Sequence, residues 1–329
     1  MNFSTFVGNE KVKSELSYLL ESGRLPHAII LEGEEGIGKR TFARELVANL
    51  FCRESKNNAC YECNQCSKVM RGIHPDVFEY TAPNKNKAFS IDIIRDDVRR
   101  DVFMKPNEAD YKVYILGNCQ AMTVEAQNAI LKILEEPPAY AVFILTVTNK
   151  TALLETVLSR SVVYTINGVT PKQGADYICS ISDDINFNDA QNAISVCGGN
   201  IGKALSTLND GKLSELVNIC NNICDALIND SEYDLLVSIA PFEKNNALLV
   251  EAVIMLKSVF RDAMLYGIDV QLLSGQANTA KKLSMNLTKY KLIKMINVCD
   301  DIVNLANSNA NNAILITKFC YDLRKAQNR

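Results

Sequence analysis

Two clusters of residues combine types and spacings that could do chemistry. The first is the run Gly33-Glu34-Glu35-Gly36-Ile37-Gly38-Lys39. Glycines at Gly33, Gly36 and Gly38 let backbone N–H groups converge on an anion, and Lys39 supplies a cation beside them. This is the chemistry of a phosphate-binding loop. The residue after the lysine in such a loop is Ser or Thr, whose hydroxyl binds magnesium. Here it is Arg40. Thr41 follows, but one step along a helix rotates a side chain by about 100°, away from the metal. Glu34 and Glu35 also place negative charge next to the anion site. Two readings stay open: a loop that binds nucleotide such as ATP through its glycines and Lys39, and a loop that only packs.

The second cluster is Cys52, Cys60, Cys63 and Cys66, spaced C-x7-C-x2-C-x2-C. Four thiolates close a tetrahedral zinc site and leave no position for water, so the metal's role is structural. The competing reading is a redox pair, Cys60 with Cys63. His27 and His74 lie outside the cluster and are not expected to hold metal. Other cysteines, such as Cys179, Cys220 and Cys299, fall on apolar faces and are expected in the core.

The elements around these clusters alternate. Ala28–Glu32 and residues 77–80, 113–116 and 141–146 read as strands; residues 41–51, 91–102 and 124–134 read as helices. That order predicts an α/β domain with a parallel sheet, the loop at 33–39 joining a strand to a helix. The strand at 113–116 runs into Gly117-Asn118-Cys119-Gln120, and no carboxylate follows until Glu125. A P-loop ATPase needs an acidic residue there to help hold magnesium. With Arg40 in place of the hydroxyl, both protein ligands of the metal are missing, and no ATP hydrolysis by this chain alone is expected. From residue 170 to about 208 the chain reads as short helices broken at Gly198-Gly199. Beyond residue 212 it is all helical: Leu249, Val253, Leu256 and Phe260 share one helical face, and Leu292, Met295, Cys299, Ile302 and Ala306 share another. Asn304 to Asn312 reads as a turn between helices.

Composition limits the partners. The chain has 329 residues, 47% hydrophobic and 22% charged, with a formal net charge of -3. That balance is globular and argues against wrapping nucleic acid alone. No secretion signal and no apolar run of membrane-spanning length is visible. With 11 cysteines and no secretion signal, a reducing cytoplasmic location is expected.

Taken with other stretches, these features resemble the bacterial DNA polymerase III clamp-loader AAA+ family. The stretches are Val7-Gly8-Asn9, Arg24-Leu25-Pro26-His27-Ala28, His74-Pro75-Asp76, Ala126-Gln127-Asn128-Ala129-Ile130-Leu131-Lys132, Leu134-Glu135-Glu136-Pro137-Pro138, Leu158-Ser159-Arg160-Ser161 and Gly199-Asn200-Ile201-Gly202-Lys203-Ala204. The likeness is dense to about residue 205; beyond that it rests on architecture. It implies a RecA-like AAA+ domain over residues 1–166 with a zinc module inserted at 52–66. A small helical lid over 167–210 and a helical collar over 211–329, which joins subunits into a ring, would follow. Family members that hydrolyse ATP keep the magnesium-binding Thr and an Asp-Glu pair after the strand. Arg40 and Gly117-Asn118 therefore set this chain with the non-motor members. The alternative is an active, motor-type ATPase. By the same resemblance, Arg160 acts as an arginine finger supplied in trans to a neighbour's ATP site. Thr148 matches a first sensor position but, without an active site of its own, reads as a structural hydrogen-bonding residue; Lys203 matches a second, and reads either as meeting a phosphate or as a solvated helix lysine. The implied partners are the tau/gamma and delta subunits, with the sliding clamp and primed DNA reached through the assembled complex.

Overall fold

The computed structural model describes residues 3, 5–55, 58–81, 89, 91–182, 184–209, 211–268, 272, 274, 276–307 and 311–328. The chain divides into two compact units, Met1–Gly168 and Val169–Arg329.

The first unit is built on a sheet of five strands: β1 (Ala28–Glu32), β2 (Val77–Thr81), β3 (Lys112–Gly117), β4 (Ala141–Val147) and β5 (Val162–Thr165). Their order is β2-β3-β4-β1-β5 and every pairing is parallel. Parallel strands are covered on both faces, which is why Ile29-Ile-Leu31, Val113-Tyr-Ile-Leu116 and Ala141 to Leu145 of β4 read as unbroken apolar runs. Alternate residues serve opposite layers. Ile30, Tyr114, Leu116, Phe143 and Leu145 pack with Ala126, Ile130 and Ile133 of the helix Val124–Glu135, and with Ile94, Val98 and Val102. Ile29, Leu31, Val113, Ile115, Val142 and Ile144 pack on the other face with Leu16 of α1 (Glu10–Glu21) and with Phe42, Ala43, Leu46 and Val47 of α2 (Lys39–Phe51).

Three local features differ from the sequence expectation. The helix after the phosphate loop starts at Lys39, because Gly38, with φ 96°, turns the chain directly into it. The helix expected over 91–102 is wound as a π-helix across Ile93–Val98. It is held at its far end by the buried Lys112 ammonium, which donates to the Asp101 carboxylate at 2.9 Å and to the Asp101 and Met104 carbonyls. The strand β5 and the helix α1 had no sequence signal strong enough to single them out.

Among the described residues, the regular elements of the second unit are all helices. Thr170 caps its first helix, Pro171–Ile181, in a reciprocal pair with Gln173, with Pro171 at the first helical position. Gly174 lets that helix meet Phe187–Val196 closely, since a Cβ there would sit 2.6 Å from the Ile194 side chain. Gly198 and Gly199, both with positive φ, break the chain before Ile201–Asn209, as expected. The two apolar faces read from sequence, Leu249 to Phe260 and Leu292 to Ala306, are buried in one cluster. Of the turn expected over 304–312, the helix Lys289–Asn307 takes the beginning and Asn312–Asn328 the end; residues 308–310 lie outside those described.

Candidate functional site

The phosphate loop sits where β1 ends and α2 begins, at the C-terminal edge of the sheet. Its glycines are required by space. A Cβ on Gly33 would stand 2.6 Å from the Ile166 carbonyl oxygen, and one on Gly38 3.0 Å from the Phe6 ring. Lys39 is turned into the loop: its ammonium donates to the Gly33 carbonyl at 2.6 Å and to the Glu34 carbonyl at 2.8 Å. Burial lowers its pKa, against the raising effect of Glu35 and Glu34. The loop's cation is thus bonded to the loop's own oxygens.

The residue at the magnesium-hydroxyl position has other work. Arg40 Nε donates to Glu79 Oε2 at 2.7 Å, and Arg44, one turn on, donates to both oxygens of the same carboxylate at 2.6 and 2.9 Å. Glu79 lies on β2, so the two arginines clip α2 to that edge strand. Burial works to raise the Glu79 carboxyl, but the bonds from Arg44 and Arg40 outweigh it and hold it below the usual carboxylate range. Thr41 is exposed. At the end of β3, Asn118 has φ 59° and its N–H donates to the Thr146 hydroxyl at 3.2 Å. Gly117 packs against Thr81, whose hydroxyl would lie 2.7 Å from any Cβ. Thr148 presents its N–H to Gln120 Oε1 at 3.3 Å. Glu32, at the end of β1, accepts from the Lys150 N–H at 2.9 Å.

The four cysteines converge. Cys52 ends α2, Cys60 and Cys63 lie in the following loop, and Cys66 is in the first turn of α3 (Asn64–Met70). Their sulfurs all lie within 4.8 Å of one another. A tetrahedral zinc–thiolate site has sulfurs about 3.8 Å apart, so this donor set fits such an ion with slight contraction. The loop is shaped for it. Tyr61 takes a positive φ of 60°, the Cys63 N–H points at the Cys60 sulfur at 3.3 Å, and the Cys66 N–H points at the Cys63 sulfur at 3.5 Å. Those N–H groups, Cys63 first and Glu62 next, bring Cys60 down to about 7, whereas burial pushes Cys66 up to about 12. Neither His27 nor His74 is in the cluster; His74 is buried against Phe51 and Gln65. Of the cysteines expected in the core, Cys220 and Cys299 are buried and Cys179 is half-buried.

Arg160 lies apart from both. It follows the short helix Glu155–Leu158 and precedes β5. One of its terminal nitrogens donates to the Thr156 carbonyl at 2.9 Å and the Ser159 hydroxyl at 3.2 Å; the other meets Glu135 at 3.0 Å. Gln127 was not singled out from sequence, yet it braces this region. Its buried amide donates to the Met122 and Ala152 carbonyls and accepts from the Leu154 N–H at 2.7 Å. Lys203 belongs to the second unit, in the first turn of Ile201–Asn209, where its N–H donates to Asn200.

A five-stranded parallel sheet of this order, with a glycine-rich loop between β1 and α2 and helices following the sheet, defines a P-loop-like α/β fold. Residues 8–170 match the family described as "DNA polymerase III, delta subunit". They form a delta-subunit-like domain homologous to the tau/gamma clamp-loader subunits. The tau/gamma subunit of Haemophilus influenzae is 27% identical over 75% of this chain and 36% of its own length. The tau subunit of Bacillus subtilis is 28% identical over 80% of this chain and 50% of its own. The chain thus matches a third to a half of the length of these curated relatives. A gamma-subunit-related protein from Thermotoga maritima aligns over 96% of this chain and 99% of its own, at 17% identity and a TM-score of 0.43. Among the described residues no helix is long and apolar enough to cross a membrane.

Proposed function

We propose that this chain is a non-motor, delta-prime-type subunit of the DNA polymerase III clamp loader, and that it lends Arg160 to the ATP site of a neighbouring subunit. The observation that carries this is the sheet register. Ile29 pairs with Val162, so Arg160 stands before the start of β5, on the side where β1 enters the sheet. The phosphate loop begins at Gly33, about 13 Å further along at strand spacing, and on the opposite edge. That separation from the chain's own loop supports a role for Arg160 at another chain's phosphate. Meanwhile Lys39 is bonded to the loop's carbonyls and Arg40 to Glu79, leaving the loop without a magnesium hydroxyl.

In this reading Cys52, Cys60, Cys63 and Cys66 hold one structural zinc ion. Residues 167–210 are the lid, with Lys203 near phosphate, and 211–329 the collar that joins tau/gamma on one side and delta on the other. The ring so formed places the sliding clamp on primed DNA in the cytoplasm. The motor-type alternative is favoured by one observation, the tau/gamma names of the relatives together with an intact run from Gly33 to Lys39. Two measurements separate the readings. The purified chain should show no ATP turnover; a rate abolished by Lys39→Ala would establish the motor reading. In rings reconstituted with tau/gamma and delta from the same source, Arg160→Ala should leave assembly intact and lower DNA- and clamp-stimulated turnover. Fingers supplied by a partner contribute roughly 10³–10⁵ in rate; the ring-averaged effect should be smaller, since one site of several is served. Arg160→Lys should not restore turnover fully, because an ammonium lacks the planar fork. Unchanged turnover in matched Arg160→Ala rings would refute the finger.

A further inference from the structure

Glu135 is the last residue of the helix Val124–Glu135, and its carboxylate meets the Arg160 guanidinium at 3.0 Å. A helix C-terminus carries partial negative charge and favours cations, so a carboxylate is misplaced there on its own helix's account. What offsets that cost is Arg160. The arginine's remaining contacts hold it in the same pose: the Thr156 carbonyl and the Ser159 hydroxyl both take one of its terminal nitrogens. The side chains are 36% and 49% exposed, so the ion pair is solvated on one side and is a weak one.

We propose that Glu135 is the resting anionic partner of Arg160, a competitor that a neighbouring subunit's nucleotide phosphate displaces. This rests on the finger reading of Arg160. The guanidinium presents a planar fork that fits a carboxylate and a phosphate equally well. Glu135 takes one terminal nitrogen of the fork while Thr156 and Ser159 take the other, and engagement in the ring exchanges that one oxyanion for another. Holding the arginine in place saves part of the ordering cost of the exchange; surrendering the carboxylate costs part of the phosphate's attraction. Because Arg160 keeps its pose through Thr156 and Ser159, the second effect dominates.

The test uses the full chain in rings with tau/gamma and delta, comparing wild type, Glu135→Gln, Arg160→Ala and the double variant. Glu135→Gln keeps the size and removes the charge from a helix end that disfavours it, so folding is not at risk. It should lower the ATP concentration for half-maximal turnover, by at most about five-fold, the factor that ~1 kcal/mol represents for an exposed pair, and leave the maximal rate unchanged. In the Arg160→Ala background the same substitution should do nothing, since the two residues act as one unit. Raising the salt concentration should shrink the difference between wild type and Glu135→Gln. If Arg160→Ala lowers turnover but Glu135→Gln leaves the half-saturating concentration unchanged, or shifts it equally with and without Arg160, the finger stands and the role of Glu135 is refuted. If Arg160→Ala has no effect, both fall together.

Discussion

Asp76 accepts hydrogen bonds from the N–H groups of Asn107 (2.5 Å), Glu108 (2.7 Å) and Ala109 (2.9 Å) and from the Asn107 side chain, and it is fully buried. Burial pushes its carboxyl up, but those donors outweigh burial and hold it below the usual carboxylate range. A carboxyl depressed in the folded state adds stability that is present above its unfolded pKa and is lost as pH falls through the folded value. The protein should thus lose stability on acidification below about pH 4. Asp76→Asn turns an amide toward donor groups. It should cost about 1–3 kcal/mol at neutral pH and flatten the acid limb, as read by denaturant titrations across pH. At this scale the sequence showed what short spacing can encode. The glycines of the loop, Lys39 and the four cysteines were legible because their partners lie within a few residues. Glu79 was not, and Gln127 and Glu135 entered only within the stretches of resemblance, because each meets partners 25 to 39 residues away and no local pattern marks such a meeting. His74-Pro75-Asp76 was legible only as a resemblance; its work of pinning the loop at 107–109 came from the fold.

The helix α2 spans Lys39 to Phe51, about 20 Å at helical rise, with the phosphate loop at one end and Cys52 at the other. The proposed zinc site therefore fixes the far end of the same rod. Asn49 adds a tie, donating to the Glu45 carbonyl and accepting from the Ala59 N–H at 2.9 Å. Protein purified without chelator should carry one zinc per chain. Stripping the metal should raise amide exchange over 58–70 while the strands of the sheet stay protected. A metal-free chain with unchanged exchange and four freely reacting thiols would count against the site. Element types were readable wherever apolar runs were long, as in β3 and β4. The π-helical winding of Ile93–Val98 was not, since its hydrophobic spacing is close to that of an ordinary helix. β5 escaped notice because only one of its four residues is buried, as expected of an edge strand.

Each of the two units has apolar clusters of its own, two flanking the sheet in Met1–Gly168 and one in Val169–Arg329. A unit with its own core can in principle fold alone. A fragment ending at residue 168 should unfold in a single cooperative transition and keep the metal content of the full chain; a fragment with no cooperative transition would show that the boundary is misplaced. The change of texture near residue 166 was visible in sequence because alternating strands and helices give way to helices only.

The Arg40–Glu79–Arg44 clip bears on which sequences are reachable from this one. Arg40→Thr would restore a hydroxyl beside Lys39, yet Arg44 would keep Glu79, and the end of β3 would still offer Asn118 and no acid. Asn118→Asp alone would place a carboxylate with no hydroxyl opposite it, and an acid at Gly117 would meet Thr81. Neither single step confers a metal site, so neither gives selection anything to favour. On the proposed non-motor reading, no single one of these substitutions would confer hydrolysis, while changes around Arg160 stay open.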